Sequence, residues 1–122
     1  MTLGATVLIV DDSLFMRMIL RGILEEKGYL VVAEAASGIE TMRRLHEHTP
    51  NIILLDIILP DSSGLDLLKS ILSISPLSKV VVCSSIGQEQ VIRKALDLGA
   101  KAYIQKPFSQ EKIVAVLSSL EG

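Results

Sequence analysis

Aromatic residues and cysteine are scarce in this chain of 122 residues. Tryptophan is absent, aromatic residues make up 3% of the sequence, and Cys83 is the only cysteine. A single cysteine excludes an internal disulfide and is typical of a reducing compartment. Because aromatic rings are few, the core must be built from leucine, isoleucine, valine and alanine, and a hydrophobic fraction of 49% is ample for that.

A strong charge imbalance and long hydrophobic runs are also missing. Twelve basic and 14 acidic residues give a formal net charge of −2, which offers no basic face for nucleic acid or an anionic membrane. No apolar run approaches the roughly 18 residues of a membrane span. The N-terminal residues lack the basic segment of a signal peptide. We therefore expect a cytoplasmic protein that binds neither nucleic acid nor membrane directly and forms one domain over residues 1–122.

Apolar runs and helical periodicities alternate five times along the chain. The predicted strands are 6–10, 29–35, 51–56, 79–83 and 102–105, and the predicted helices, with their caps, are 13–27, 37–48, 64–73, 88–98 and 109–120. Strict alternation with short loops predicts right-handed crossovers and a parallel sheet that helices cover on both faces. The expected fold class is therefore α/β, a doubly wound, flavodoxin-like sheet.

Glycine and serine mark the ends of several predicted helices. Gly28 and Gly99 follow the first and fourth helices, where glycine is typical of a C-terminal stop. Ser37 and Glu40 have the spacing of a capping box at the start of the second helix. Ser109 is expected to cap the last helix.

Polar side chains follow four of the predicted strands. Asp11 and Asp12 come directly after the first strand, Asp56 closes the third, and Ser84 and Lys106 follow the fourth and fifth. In a doubly wound sheet the ligand crevice lies at the carboxyl ends of the strands. We therefore expect these five side chains, which are distant in sequence, to meet at one edge of the sheet.

The chemistry of these side chains favours phosphoryl transfer. Three carboxylates repel each other unless a cation neutralises part of their charge, and such oxygen ligands suit Mg²⁺, which also accepts phosphate oxygens. Lys106 offers a point charge for a phosphoryl oxygen, and the Ser84 hydroxyl can donate a hydrogen bond to another. Because carboxylates can act as nucleophiles that form acyl phosphates, Asp56 is the predicted phosphoryl acceptor.

Four motifs resemble the receiver domain of two-component response regulators, in the order and spacing of that family. They are LIVDDS at 8–13, LDIILP at 55–60, GLD at 64–66 and KPF at 106–108. The resemblance covers essentially the whole chain, and segments 13–17, 82–88 and 99–103 are most similar to chemotaxis-type single-domain regulators. It implies five flanking helices and the strand order 2-1-3-4-5, which is known for the chemotaxis regulator of the family.

The resemblance also implies a role for each acidic residue. Asp56 would accept a phosphoryl group from the phosphotransfer domain of a histidine kinase. Asp11 and Asp12 would hold Mg²⁺ together with Asp56 and the backbone carbonyl of Ile58. The chain would take part in its own phosphorylation and dephosphorylation without turning over a separate substrate, so we do not expect an enzyme.

Further roles implied by the resemblance concern Lys106 and a switch pair. Lys106 would bind the phosphoryl group, and its peptide bond to Pro107 would be cis. Ser84 and Tyr103 would form the switch, in which the hydroxyl moves toward the phosphate and the aromatic ring turns inward. The fourth helix, fifth strand and fifth helix would then present a changed surface to an output protein, such as a flagellar motor switch. The protein would be a monomer or a dimer that depends on phosphorylation.

Apolar residues near the site lead to two more expectations. Ile58 is apolar where many chemotaxis regulators carry a polar residue, and Ile86 is apolar as well. Both side chains should lie beside the phosphoryl group and influence the access of hydrolytic water, so we expect a long-lived acyl phosphate. In the first helix, Leu14, Phe15 and Met18 exceed what one face can bury. Either the helix is tucked between its neighbours, or these side chains form an exposed patch near the site where a kinase domain docks.

Three other interpretations stay open. The chain could be a receiver domain taken from a longer regulator with a DNA-binding or enzymatic output. An aspartyl-phosphate phosphatase would usually carry a second acid two residues beyond its nucleophile, where this chain has Ile58. A flavin-binding domain of similar topology would need a Ser/Thr/Gly-rich loop after the first strand, where Asp11 and Asp12 would repel a phosphate that lacks a metal.

Overall fold

A five-stranded parallel sheet flanked by five helices makes up the fold in the computed structural model, which describes residues 4–120. The strands are β1 (Thr6–Val10), β2 (Leu30–Ala35), β3 (Ile52–Leu55), β4 (Lys79–Ser84) and β5 (Ala102–Gln105). The helices are α1 (Leu14–Glu26), α2 (Gly38–Glu47), α3 (Gly64–Ile74), α4 (Glu89–Leu98) and α5 (Gln110–Ser119). The strand order is β2-β1-β3-β4-β5, and every pair is parallel. The predicted doubly wound α/β fold is confirmed.

Two hydrophobic clusters lie on opposite faces of the sheet. In β1, Leu8 and Val10 face the cluster formed with α2, α3 and α4, whereas Val7 and Ile9 face the cluster formed with α1 and α5. Side chains alternate between the two faces along β3 and β4 in the same way. Burial on both faces explains why the central strands are continuous apolar runs rather than alternating ones. Cys83 is buried in the second cluster.

Helix ends follow the predicted signals with one difference. Gly28 and Gly99 have φ angles of 88° and 122°, a left-handed region that favours glycine, so both predicted stops are confirmed. Ser37 Oγ accepts a hydrogen bond from the Glu40 amide at 3.1 Å, as a capping box requires. Glu40 Oε1, however, accepts from the amide of Ala36 at 2.8 Å, one residue before the expected partner. The box is therefore only half formed.

A short antiparallel hairpin between β3 and α3 was not predicted. It pairs Ile58–Leu59 with Ser62–Ser63. Strands of two residues are too short to produce a readable alternation of apolar and polar residues. The predicted limits of the main strands were also slightly wrong, because β3 ends before Asp56 and β4 includes Ser84. The hairpin reverses the chain directly after Asp56.

Helix α1 buries one face and exposes a large part of the other. Leu20, Ile23 and Leu24 are buried against the sheet, as their spacing predicts. Leu14, Phe15 and Met18 are exposed by 62%, 71% and 63%. The interpretation of α1 as a helix tucked between neighbours is therefore wrong, and the three side chains form an exposed apolar surface that we call the α1 patch. Within residues 4–120, neither α1 nor any other helix is long and apolar enough to span a membrane.

Candidate functional site

Backbone hydrogen bonds fix three of the predicted site residues just beyond the ends of strands. The amide of Asp11 donates to the last carbonyl of β2 at 3.0 Å, and that of Asp56 donates to the last carbonyl of β1 at 2.9 Å. The amide of Lys106 donates to the last carbonyl of β4 at 2.8 Å. Each residue therefore continues the ladder of a rigid sheet, and all three lie at its carboxyl edge.

Three carboxylates meet at this edge as predicted. One oxygen each of Asp11, Asp12 and Asp56 lies within 4.8 Å of the others. Asp11 and Asp56 are buried, whereas Asp12 is exposed, so the cluster is open to solvent on one side. An open set of carboxylate oxygens fits a hard divalent cation that keeps some of its water ligands. The Ile58 amide donates to Asp56 Oδ1 at 2.8 Å, which places the hairpin directly against the cluster.

Lys106 supplies the positive charge next to the two buried acids. Its Nζ lies 2.7 Å from Asp11 Oδ2 and 2.9 Å from Asp56 Oδ2, and its side chain is 16% exposed. Burial disfavours the ammonium ion, but the hydrogen bonds and charges of the two carboxylates outweigh burial and raise the pKa of Lys106. The bond between Lys106 and Pro107 is cis, as predicted.

The predicted switch residues are linked through the backbone of Ile86. Ser84 is buried at the end of β4, and its Oγ accepts a long hydrogen bond of 3.4 Å from the Ile86 amide. The Tyr103 hydroxyl donates to the Ile86 carbonyl at 2.6 Å, and its ring packs against the cluster below α4. Burial raises the pKa of Tyr103, so its hydroxyl remains a donor at neutral pH. Both switch residues thus bind the backbone of Ile86, Ser84 at its amide and Tyr103 at its carbonyl.

Comparison with known proteins agrees with this geometry. Residues 7–118 match the sequence model of the response regulator receiver domain. This chain is a response regulator receiver domain. It is 41% identical to the chemotaxis protein CheY of Thermotoga maritima over 118 residues, which are 97% of this chain and 98% of that protein. It is 37% identical to CheY of Bacillus subtilis over 92% of this chain and 93% of that one.

Solved structures of receiver domains share the fold. A chain in the crystal structure of the CheX-CheY-BeF3-Mg complex from Borrelia burgdorferi superposes with a TM-score of 0.94 at 31% identity. The match covers 98% of this chain and 91% of that chain. Receiver domains bind Mg²⁺ at a cluster of aspartates, and Asp11, Asp12 and Asp56 form such a cluster here. The chain is thus a signalling module rather than an enzyme built for substrate turnover.

Arg17 of α1 also reaches the receiver site, where Glu34 of β2 and Arg21 of α1 hold it, although no role was predicted for any of the three. Arg17 Nη1 donates to the backbone carbonyl of Asp11 at 2.7 Å, while its Nε binds Glu34 Oε1 at 2.8 Å. Arg21 Nε binds the other oxygen of Glu34 at 2.8 Å. The sequence did contain a signal, because Glu34 is the one charged residue of β2 and the two arginines are spaced four apart on one helix.

Asp61 is a second residue that the motifs did not single out. Its carboxylate accepts hydrogen bonds from the amides of Gly38 at 2.8 Å and Ile39 at 3.1 Å, which fastens the hairpin to the start of α2. The bonds from Gly38 and Ile39 hold the pKa of Asp61 below its usual value. Gly64 allows a close approach of the backbone at the other end of the hairpin, because a Cβ there would lie 2.1 Å from the carbonyl oxygen of Ile57.

Proposed function

We propose that this receiver domain is a signalling switch in which Asp56 accepts a phosphoryl group from a histidine kinase. The observation that carries the proposal is the position of the Asp56 carboxylate. It is 5% exposed at the carboxyl edge of the sheet, within reach of two further acids and 2.9 Å from the Lys106 ammonium. Such a carboxylate is a nucleophile held on a rigid element beside a cation.

In the proposed transfer, one oxygen of Asp56 attacks the phosphorus of a phosphohistidine. The new P–O bond forms as the P–N bond breaks, and the bonding pair returns to the imidazole nitrogen of the donor. Mg²⁺ held by Asp11, Asp12, Asp56 and the carbonyl of Ile58 would supply charge neutralisation at the phosphoryl oxygens. Lys106 lies against the acceptor oxygen already and can donate to a phosphoryl oxygen.

Ser84 and Tyr103 are the proposed means by which phosphorylation alters the surface. The Ser84 hydroxyl is held by a hydrogen bond of 3.4 Å, which is long enough to give up at little cost. When this hydroxyl turns to a phosphoryl oxygen, the amide of Ile86, whose carbonyl binds Tyr103, loses its partner. The change would thus pass to α4, β5 and α5, which form the output surface of our proposal.

The partners we propose are a histidine kinase phosphotransfer domain and an output protein. The α1 patch begins at Leu14, two residues after the proposed metal ligand Asp12, and we propose that a phosphotransfer domain that reaches Asp56 packs against it. Similarity to CheY proteins over nearly their whole length supports a role in chemotaxis or motility, with an output protein such as the flagellar motor switch. A fused DNA-binding or enzymatic output domain is the alternative.

The remaining features of the proposal concern organisation. We infer a cytoplasmic domain over residues 1–122, of which 1–3 and 121–122 lie outside the described residues. It would be a monomer or a dimer that depends on phosphorylation, with no direct contact to nucleic acid or membrane. Dephosphorylation would be its own slow hydrolysis. A phosphatase is disfavoured because Ile58 cannot move protons, and a flavin site is disfavoured because acids occupy the crevice.

Intact mass spectrometry after incubation with acetyl phosphate and Mg²⁺ tests the proposal. We expect one phosphoryl adduct on the wild type that requires Mg²⁺ and is removed by hydroxylamine, which cleaves acyl phosphates. Asp56→Asn should carry no adduct, and Asp97→Asn, which changes an exposed aspartate near the end of α4, should still carry it. A folded wild type that gains no adduct, or an adduct that persists in Asp56→Asn, would refute the assignment.

A further inference from the structure

Asp12 differs from the other two acids in how its side chain is held. It is exposed, and within residues 4–120 its carboxylate makes no hydrogen bond or ion pair. Asp11, by contrast, binds the Ser13 amide through Oδ1 at 2.9 Å and Lys106 through Oδ2 at 2.7 Å. The direction in which Asp12 points therefore depends on the peptide group that precedes it, the one formed by the carbonyl of Asp11.

That peptide group is held by the guanidinium of Arg17. Nη1 of Arg17 donates to the Asp11 carbonyl oxygen at 2.7 Å, a short bond for a charged donor. The same guanidinium is fixed from its other side, because its Nε lies 2.8 Å from Glu34 Oε1. Its side chain is only 14% exposed. The planar fork of arginine can bridge two acceptors in this way, whereas the single ammonium of lysine cannot hold both in the same geometry.

Charge does not explain why an arginine lies beside a site that must bind a cation. A positive charge there would by itself repel the cation. Burial raises the pKa of Glu34, but the hydrogen bonds and charges of Arg21 and Arg17 outweigh burial and hold that pKa below its usual value, so this carboxylate is ionised at neutral pH. Glu34 and Glu25 together balance the two arginines, because Arg21 also pairs with Glu25 at 3.1 Å. This group of two arginines and two glutamates has no net charge when all four are ionised. What Arg17 adds to the site is therefore the hydrogen bond to the Asp11 carbonyl.

We propose that Arg17 is a positioning residue of the metal site: it fixes the peptide between Asp11 and Asp12 and so points the Asp12 carboxylate at the bound cation. The inference rests on the Mg²⁺ site of the proposed function. Residues that orient the ligands of a metal typically contribute about 10- to 100-fold to its affinity. Arg21 provides the matched comparison, because it binds the second oxygen of the same Glu34 but makes no hydrogen bond to Asp11.

The test is a titration of each protein with MgCl₂ in the absence of a phosphoryl donor, followed by amide chemical shifts and by calorimetry. We expect Arg17→Gln to raise the Kd for Mg²⁺ by about tenfold. Arg17→Lys keeps a positive charge beside Glu34 and should fold even where Arg17→Gln does not, yet it should lose most of the same affinity. Arg21→Gln should change the Kd by less than about twofold, since it loses its ion pairs with Glu34 and Glu25 but no link to a metal ligand.

Thermal unfolding without Mg²⁺ separates positioning from stability. Both glutamine variants lose an ion pair to Glu34 and should unfold at a lower temperature than the wild type, while only the change at Arg17 should weaken Mg²⁺ binding. Phosphorylation by acetyl phosphate should recover in Arg17→Lys when Mg²⁺ is raised to saturation. Wild-type affinity in Arg17→Lys, or an equal loss in Arg21→Gln, would overturn the inference. A folded wild type that binds no Mg²⁺ would overturn the metal site itself, and the inference with it.

Discussion

Removal of the Lys106 ammonium should destabilise the metal-free protein and make its stability depend on Mg²⁺. Lys106 binds Asp11 and Asp56 at 2.7 and 2.9 Å, and both carboxylates are buried. Lys106→Met keeps a similar length and apolar volume but leaves two buried carboxylates side by side without a cation. The energetic cost therefore falls on the folded state, because in the unfolded chain both carboxylates are hydrated and far apart.

The expected size of this effect follows from the burial of the three groups. Deleting one partner of a buried ion pair typically costs about 3–5 kcal/mol. Lys106 keeps 16% of its side chain in solvent, so the lower end, about 3 kcal/mol, applies. For a domain of this size that corresponds to a fall in Tm of about 10 °C. A ligand at 100 times its Kd restores about 2.7 kcal/mol, so saturating Mg²⁺ should return most of the lost stability.

Chemical denaturation of Lys106→Met without and with MgCl₂ measures the loss of stability and its recovery by the metal. Lys101→Met is the matched control, since Lys101 is exposed on the loop before β5, and it should unfold like the wild type in both conditions. Mg²⁺ should stabilise Lys106→Met more than the wild type, because the metal no longer competes with the lysine for carboxylate oxygens. Equal metal-free stability of Lys106→Met and Lys101→Met would refute the assignment of Lys106 as the neutralising cation.

Three further predictions concern the hairpin and β2. Ile58→Asn should shorten the acyl-phosphate lifetime several-fold by admitting water, whereas Ile74→Asn, at the far end of α3, should not. The decay of the phosphorylated mass after removal of acetyl phosphate measures the lifetime, and equal lifetimes in the two variants would contradict the prediction. Gly64→Ala should lower the free energy of unfolding by more than about 2 kcal/mol, because its Cβ meets the backbone of Ile57 at 2.1 Å; an unchanged denaturation midpoint would contradict it. Glu34→Gln should destabilise the protein more at pH 7 than at pH 3, because the arginines outweigh burial and lower the pKa of Glu34. The contribution of Glu34 is therefore complete above the ordinary glutamate pKa of about 4.3 and is lost as the pH falls through the folded-state value. Denaturation at the two pH values measures the difference, and an effect of equal size at both would contradict it.

The sheet and the position of the acids could be predicted from the sequence because both depend on short-range patterns. Strands β1 and β3 are buried on both faces, so their residues form continuous apolar runs that end where the chain reaches the edge of the sheet. The polar residue that follows such a run, Asp11 or Asp56, must lie at that edge. A local pattern thus fixed the place of each acid once the strands were known to be parallel.

The residues that support the acids could not be predicted because their partners are far away in the sequence. Arg17 and Glu34 are 17 positions apart, and Asp61 and Gly38 are 23 apart. Which face of α1 lies over β2, and where the hairpin meets α2, depends on how the helices pack and not on any local spacing. The hairpin was also missed because strands of two residues carry no periodic signal.

The charges of the site suit both the resting state and the phosphorylated state of the proposed function. When ionised, the three carboxylates and the one ammonium leave a net charge of −2, which a divalent cation cancels and a monovalent cation would only halve. The ion pair of Arg17 with Glu34 adds nothing to this sum. An acyl phosphate on Asp56 carries more negative charge than the carboxylate it replaces, so the balanced site gains an excess. The Ser84 oxygen accepts a long bond of 3.4 Å from the Ile86 amide, so we expect this excess to draw the Ser84 hydroxyl away from Ile86 to donate to the phosphoryl group.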